Sequence, residues 1–206
     1  MIIINILTRT SNRPNYFDIN YNSVKSQILP ENIIVNHIVS YDDEPTFKYL
    51  EKYTDIIKVA VDKEYKTATI TFPVNIYFNE LHKYVKDGFI MYLDDDDSFY
   101  DNNSLAQLIP YLDETKIVFW QVQFPDKIIP PDYIIDSKKV IIHNCPSNSF
   151  IYHYSLLNKY GIQWPPKRGG DYKFIHSLFK AHKNGNWLKL VLTKVPQSGF
   201  GLQMDK

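Results

Sequence analysis

The chain has 206 residues, 44% of them apolar, with 23 Lys plus Arg against 23 Asp plus Glu. Zero formal charge and no clustered basic run remove the attraction on which non-specific nucleic-acid binding depends, so a nucleic-acid partner is not expected. The single cysteine, Cys145, excludes an intrachain disulfide and a cysteine-based zinc cluster, which fits a reducing compartment. No segment approaches the roughly 20 consecutive apolar residues of a membrane helix. Met1-Ile2-Ile3-Ile4-Asn5 has neither the basic n-region nor the cleavage site of a signal peptide. One cytoplasmic domain over residues 1–206, with no integral membrane segment, is the expectation.

Residues 2–7 form a continuous apolar run rich in β-branched side chains, the pattern of a strand buried on both faces. Thr8-Arg9-Thr10-Ser11-Asn12-Arg13-Pro14 then supplies loop and helix-start chemistry, and the helix runs to about Gln27. Residues 33–39 read as a second strand, ended by Tyr41-Asp42-Asp43-Glu44-Pro45, followed by a short helix over 46–53 and a third strand over 55–61. Val74, Tyr77, Phe78, Leu81 and Val85 recur at helical spacing until Lys86-Asp87-Gly88, and 89–93 forms a fourth strand. Beyond it the pattern predicts a helix over 104–112, a strand over 117–124, a turn-rich connection over 125–131 and a hairpin of 133–137 with 140–143. A strand over 149–152 and helices over 154–160 and 172–182 complete the predicted elements.

The alternation in the first half specifies an α/β fold with a mostly parallel sheet, whose ligands bind beyond the carboxyl ends of the strands. Those ends are Thr8 to Arg13, Asp42-Asp43 and Asp94 to Asp97, three polar loops expected on one edge. Four adjacent carboxylates after a buried strand repel one another, and a divalent cation relieves that cost. Hard oxygen ligands suit magnesium or manganese, which take their remaining positions from water and substrate phosphates. A solvated acidic turn is the better reading at an arbitrary site, but the end of a central strand beside two polar loops reverses that preference. A calcium EF-hand starting at Asp94 fails, because Phe99 and Leu105 stand where Gly and Glu are needed. A haloacid dehalogenase-like phosphatase also places Asp-x-Asp after a strand, normally its first, whereas three precede it here.

Taken together, Ile6-Leu7-Thr8-Arg9-Thr10-Ser11-Asn12-Arg13-Pro14, Tyr41-Asp42-Asp43 and Ile90-Met91-Tyr92-Leu93-Asp94-Asp95-Asp96-Asp97 resemble a glycosyltransferase of the GT-A fold, close to the family 2 type. The resemblance covers the first hundred residues in order and spacing. It implies a mostly parallel central sheet flanked by helices, a nucleotide-binding half over 1–100 and an acceptor-binding half over 101–206. It also implies a nucleotide-sugar donor, a UDP-sugar, transfer with inversion to a glycan or other hydroxyl acceptor, and Mn2+ or Mg2+ as cofactor. Carried over by position, Thr8 and Arg9 line the nucleotide, Asp42 or Asp43 accepts a hydrogen bond from the base, and Asp94 and Asp96 are the Asp-x-Asp pair on ribose and metal. Asp95 and Asp97 are also carboxylates, which leaves the direct ligand open. Arg13 joins the nucleotide set because two of the three arginines fall in this loop, where guanidinium groups suit phosphate oxygens. Asn75, with Asn79 one turn later, faces either the donor or solvent, and Asp42-Asp43 has a competing role as a helix cap.

In the second half, the Pro- and Gly-rich run 161–170 makes a shaped loop in which Trp164 is either an aromatic face for sugar rings or a core anchor. The resemblance makes Asp171, after Gly169-Gly170, the general base of an inverting transfer, a position where an N-cap is the structural alternative. The six histidines form no zinc-ligand spacing, and a third metal ligand from His143 or His153 is left open. The turn-rich 195–201 is either a lid over the nucleotide or a frayed end. A haloacid dehalogenase-like phosphatase and a non-catalytic nucleotide-sugar-binding domain remain the alternatives.

Overall fold

A computed structural model describes residues 1–196. Its elements are β1 (Ile2–Arg9), α1 (Pro14–Lys25), β2 (Ile33–Tyr41), α2 (Glu44–Leu50), β3 (Ile57–Ala60), a 3-10 turn (Pro73–Ile76), α3 (Tyr77–His82), β4 (Phe89–Tyr92) and β5 (Ser98–Phe99). There follow α4 (Ser104–Leu108) with a 3-10 turn (Ile109–Tyr111), β6 (Ile117–Gln123), β7 (Ile128–Ile129), α5 (Asp132–Ser137), a 3-10 turn (Ser147–Ser149), β8 (Phe150–His153), α6 (Tyr154–Tyr160), α7 (Gly170–His182) and β9 (Gly185–Lys194). The strands form one sheet in the order β3-β2-β1-β4-β8-β6-β9-β5, with β7 beside β6. The long ladders β1–β2 and β6–β9 are parallel, as are β1–β4 and β2–β3. The short ones, β4–β8, β6–β8, β6–β7 and β5–β9, are antiparallel.

Strand side chains alternate faces, and the two cores follow that period. Ile90, Tyr92, Phe119, Phe150 and Tyr152 enter the layer of α3, α6 and α7 with Phe78, Trp164 and Phe174. Their neighbours Phe89, Met91, Val118, Trp120 and Ile151 enter the opposite layer with Leu105 and Leu108 of α4. Gly88 sets the turn into β4 at φ +88°, where a Cβ would lie 2.5 Å from the Ile3 carbonyl oxygen. Asn5 is the polar exception inside β1, donating to the carbonyls of Asp87 and Phe89 and accepting from Asn36.

Several boundaries differ from the sequence expectation. α2 starts at Glu44, because Asp43 caps it by accepting the Thr46 N–H at 2.9 Å. The stretch expected as one helix from Val74 to Val85 is a Pro73-led 3-10 turn followed by the shorter α3. The expected hairpin is overturned: 132–137 is helix α5, seated by buried Ile134 and Ile135 and stopped by Lys138 at φ 53°, and 140–143 carries no strand. β5 and the ten-residue β9 were not expected. No helix among the described residues is long and apolar enough to cross a membrane.

Candidate active site

Because β1, β2 and β4 run parallel, the loops after them meet at one edge of the sheet. Leu93 N–H donates to Leu7 O at 3.1 Å, and the Thr8 hydroxyl donates to Leu93 O at 2.7 Å. These bonds carry the β4 chain straight into Asp94. From α1, fully buried Asn20 donates through Nδ2 to Asp94 O at 2.9 Å and Asp97 O at 3.0 Å, fixing the backbone of the acidic turn.

The four carboxylates divide between two arginines and a cavity. Arg9 grips Asp94 bidentately, Nε to Oδ1 at 2.8 Å and Nη2 to Oδ2 at 2.5 Å, with its guanidinium 4.2 Å above the Phe78 ring. Arg13 holds both oxygens of fully buried Asp95, which also accepts the Thr10 hydroxyl at 2.8 Å, and reaches Asp96 Oδ2 at 3.1 Å. Burial works against the Arg9 charge, but Asp94, then Asp96 and Asp95, more than offset it. Burial pushes the Asp95 carboxyl up to about 8 against the pull of Arg13. Burial, followed by repulsion from Asp96, Asp94 and Asp95, also raises Asp97 well above the usual carboxylate range.

A cavity of about 780 Å³ opens beside this loop, lined among others by Arg9, Asn75, Asp94, Asp96, Asp97 and Asp171. Asp171 reaches it from the first turn of α7, whose N-cap is Gly169 at φ 68°. Asp171 is thus not the cap that the sequence allowed. Burial raises its pKa, opposed by the Tyr172 backbone N–H and by Arg9 and reinforced by Asp94. Asn75 connects the two sides: its Oδ1 accepts from Arg9 Nη1 at 2.9 Å, while its Nδ2 donates to Pro165 O at 3.2 Å and Lys167 O at 2.8 Å. Asn79 makes a similar pair with the Trp164 backbone, so both asparagines clamp the 164–167 loop.

Not every expected residue faces the cavity. Thr8 is fully buried, its hydroxyl also paired with His37 Nε2 at 2.9 Å, so its side chain is a strut between strands. Asp95 and Arg13 form the support behind the acidic loop, outside the cavity wall. Asp43 caps α2, and Asp42 accepts from the Tyr77 hydroxyl at 2.9 Å and the Ser11 hydroxyl at 3.3 Å, also outside that wall. Trp164 is a core anchor, 2% exposed and stacked on Phe174 at 4.8 Å, with part of its surface on the cavity. His153 caps α6 and His143 lies in a turn, and neither lines the cavity. The expected lid falls mostly outside the described residues, which include only Val195, on the cavity wall, and Pro196. The sequence reading missed Asn20 and Asn148. For Asn20 a signal exists, because it sits between Phe17 and Val24 on the buried stripe of α1.

The arrangement is closely similar to solved structures. Over 95% of this chain and 60% of the other, it superimposes on S. aureus TarS 1-349 with a TM-score of 0.73 at 19% identity. The TarS complex with UDP-GlcNAc gives 0.72 at 17% identity over 97% and 59%. Mannosyltransferase PcManGT from Pyrobaculum calidifontis, in complex with GDP-Man and Mn2+, gives 0.69 at 15% identity over 96% and 58%. The chain has a GT-A fold. It spans about three fifths of the length of these neighbours. No family model and no curated protein matches its sequence.

The donor set suits a divalent cation. Asp94, Asp96 and Asp97 offer hard oxygens to the cavity. Among the described residues, no three carboxylate, imidazole or thiol groups form a ready-made metal cage. This fits magnesium or manganese held by one or two carboxylates and completed by phosphate oxygens and water.

Proposed function

We propose that this chain transfers a sugar from a nucleoside diphosphate donor, a uridine diphosphate sugar, to an acceptor hydroxyl with inversion. The observation that carries the reading is the shared cavity, which joins the acidic loop after β4 to the half-buried carboxylate of Asp171 on the GT-A scaffold. Asp94 and Asp96 would hold manganese or magnesium, which when bound neutralises charge on the diphosphate leaving group. Arg9, already anchored between Asp94 and Asn75, adds a fixed positive charge to the same wall. Asp171 takes the acceptor proton as the acceptor oxygen bonds to the anomeric carbon and the bond from that carbon to the diphosphate breaks. Burial makes its carboxylate a stronger base than one in water. The nucleotide-sugar complexes of the structural neighbours support the donor class.

Two measurements test this. Thermal shift against UDP, UDP-sugars and GDP-mannose, with and without manganese, should pick out a uridine donor. Asp171→Asn should keep donor affinity and lose about a hundredfold to ten-thousandfold in turnover, scored with an acceptor or as slow donor hydrolysis. Undiminished turnover in that variant would remove Asp171 from the role and favour a retaining transfer.

A further inference from the structure

Asn148 stands out on the cavity wall. It sits in the 3-10 turn Ser147–Ser149, packed against β4, β6 and β9, and is 1% exposed. Neither Oδ1 nor Nδ2 has a hydrogen-bond partner among the described residues, so the statement holds whichever way the amide is turned. Its backbone is fixed, because its carbonyl accepts the Thr193 hydroxyl at 2.7 Å, and Thr193 Oγ1 in turn accepts Trp120 Nε1–H at 3.1 Å. A buried amide with both ends unmatched lowers the stability of the folded chain unless something from the cavity meets it.

We propose that Asn148 binds a pair of neighbouring hydroxyls on the donor sugar and so sets which sugar the cavity accepts; this rests on the donor reading above. The chemistry selects among ligands. Phosphate oxygens only accept, and would leave Oδ1 unmatched. A cation takes Oδ1 and leaves Nδ2 unmatched. Adjacent sugar hydroxyls both donate and accept, and satisfy the amide at both ends. With the diphosphate at Asp94 and Asp96, the sugar is the part of the donor left to meet the remaining wall, where Asn148 lies.

The experiment is calorimetric titration of UDP, UDP-glucose and UDP-N-acetylglucosamine, in manganese, into the parent protein, Asn148→Ala and Asn148→Leu. The parent should bind one UDP-sugar more tightly than UDP. Both variants should lose about tenfold of that preference while UDP itself binds as before. Leucine is close to asparagine in shape and carries no polar atoms to leave unmatched, so Asn148→Leu should melt no lower than the parent. Equal weakening of UDP and its sugars, a full sugar preference in both variants, a parent without sugar preference, or a sharply lower melting point in Asn148→Leu would each overturn the assignment. In those cases UDP still binds the parent and the donor reading stands. If the parent binds no nucleotide at all, the donor reading fails and takes this one with it.

Discussion

Gly170 approaches Asn75 so closely that a Cβ on the glycine would stand 2.2 Å from Asn75 Nδ2 and 3.1 Å from the Pro165 carbonyl oxygen. The first residue of α7 is thereby packed against a side chain that bonds both Arg9 and the 165–167 loop. The constraint is steric, since the Gly170 backbone lies outside the positive-φ region.

Gly170→Ala should therefore destabilise by about 1–3 kcal/mol, the usual cost of overpacking. Nearly all of that loss should vanish in an Asn75→Ala background. Urea unfolding of the four proteins of the double-mutant cycle checks it, and additive effects would show that the methyl is accommodated elsewhere.

Arg13 is the charge partner of a carboxylate with no exposure to water. Above pH 8, where Asp95 is ionised, Arg13→Met should cost about 3–5 kcal/mol, because it strands the Asp95 charge. Adding Asp95→Asn removes that charge and should recover a large part of the loss. If the double variant is no more stable than Arg13→Met, the damage lies in packing instead.

Burial holds His37 and His82 neutral, each pushed down to about 3 from an unfolded value near 6.5. The unfolded chain binds the extra proton below 6.5, so each histidine's contribution to stability is complete above that pH. It falls by about 1.4 kcal/mol per pH unit between 6.5 and 3. NMR should show both rings unprotonated from pH 8 to 5. His82→Gln, which still offers a polar group to the Tyr92 hydroxyl 2.6 Å away, should flatten the acid limb by one proton relative to the parent.

Cation and nucleotide should tighten one another's binding by the same factor, about 5- to 150-fold, since coupling free energy is reciprocal. Titrating UDP in manganese and again in chelator measures it. Asp96→Ala should abolish the difference. Equal UDP affinity in both buffers would leave Arg9 as the charge on the cavity wall that serves the diphosphate, without a cation.

The sequence disclosed what local pattern controls. Residues 2–7, apolar on both faces apart from Asn5, became β1, the helix over 154–160 has the predicted bounds, and the acidic run lies at the carboxyl edge of the sheet. β9 was illegible because Lys189 interrupts its apolar residues, and its place is fixed by distant β6 and β5. In 133–137, β-branched Ile134 and Ile135 suggested a strand, but burying that pair favoured helix α5. Spacing along a chain also cannot show which way a side chain turns. Arg9 and Arg13 bend back onto the aspartates, and Asn75 bends toward a loop 90 residues away.

Pro166 accepts the backbone N–H groups of both Thr71 and Phe72 at 3.0 Å. Those two amides belong to a stretch that is in neither strand nor helix, where exchange with solvent is ordinarily fast. Here their protection depends on a carbonyl from the other half of the chain. Two deuterium-exchange signals thus act as a gauge of whether the walls of the cavity are docked together, readable on the intact protein without a label.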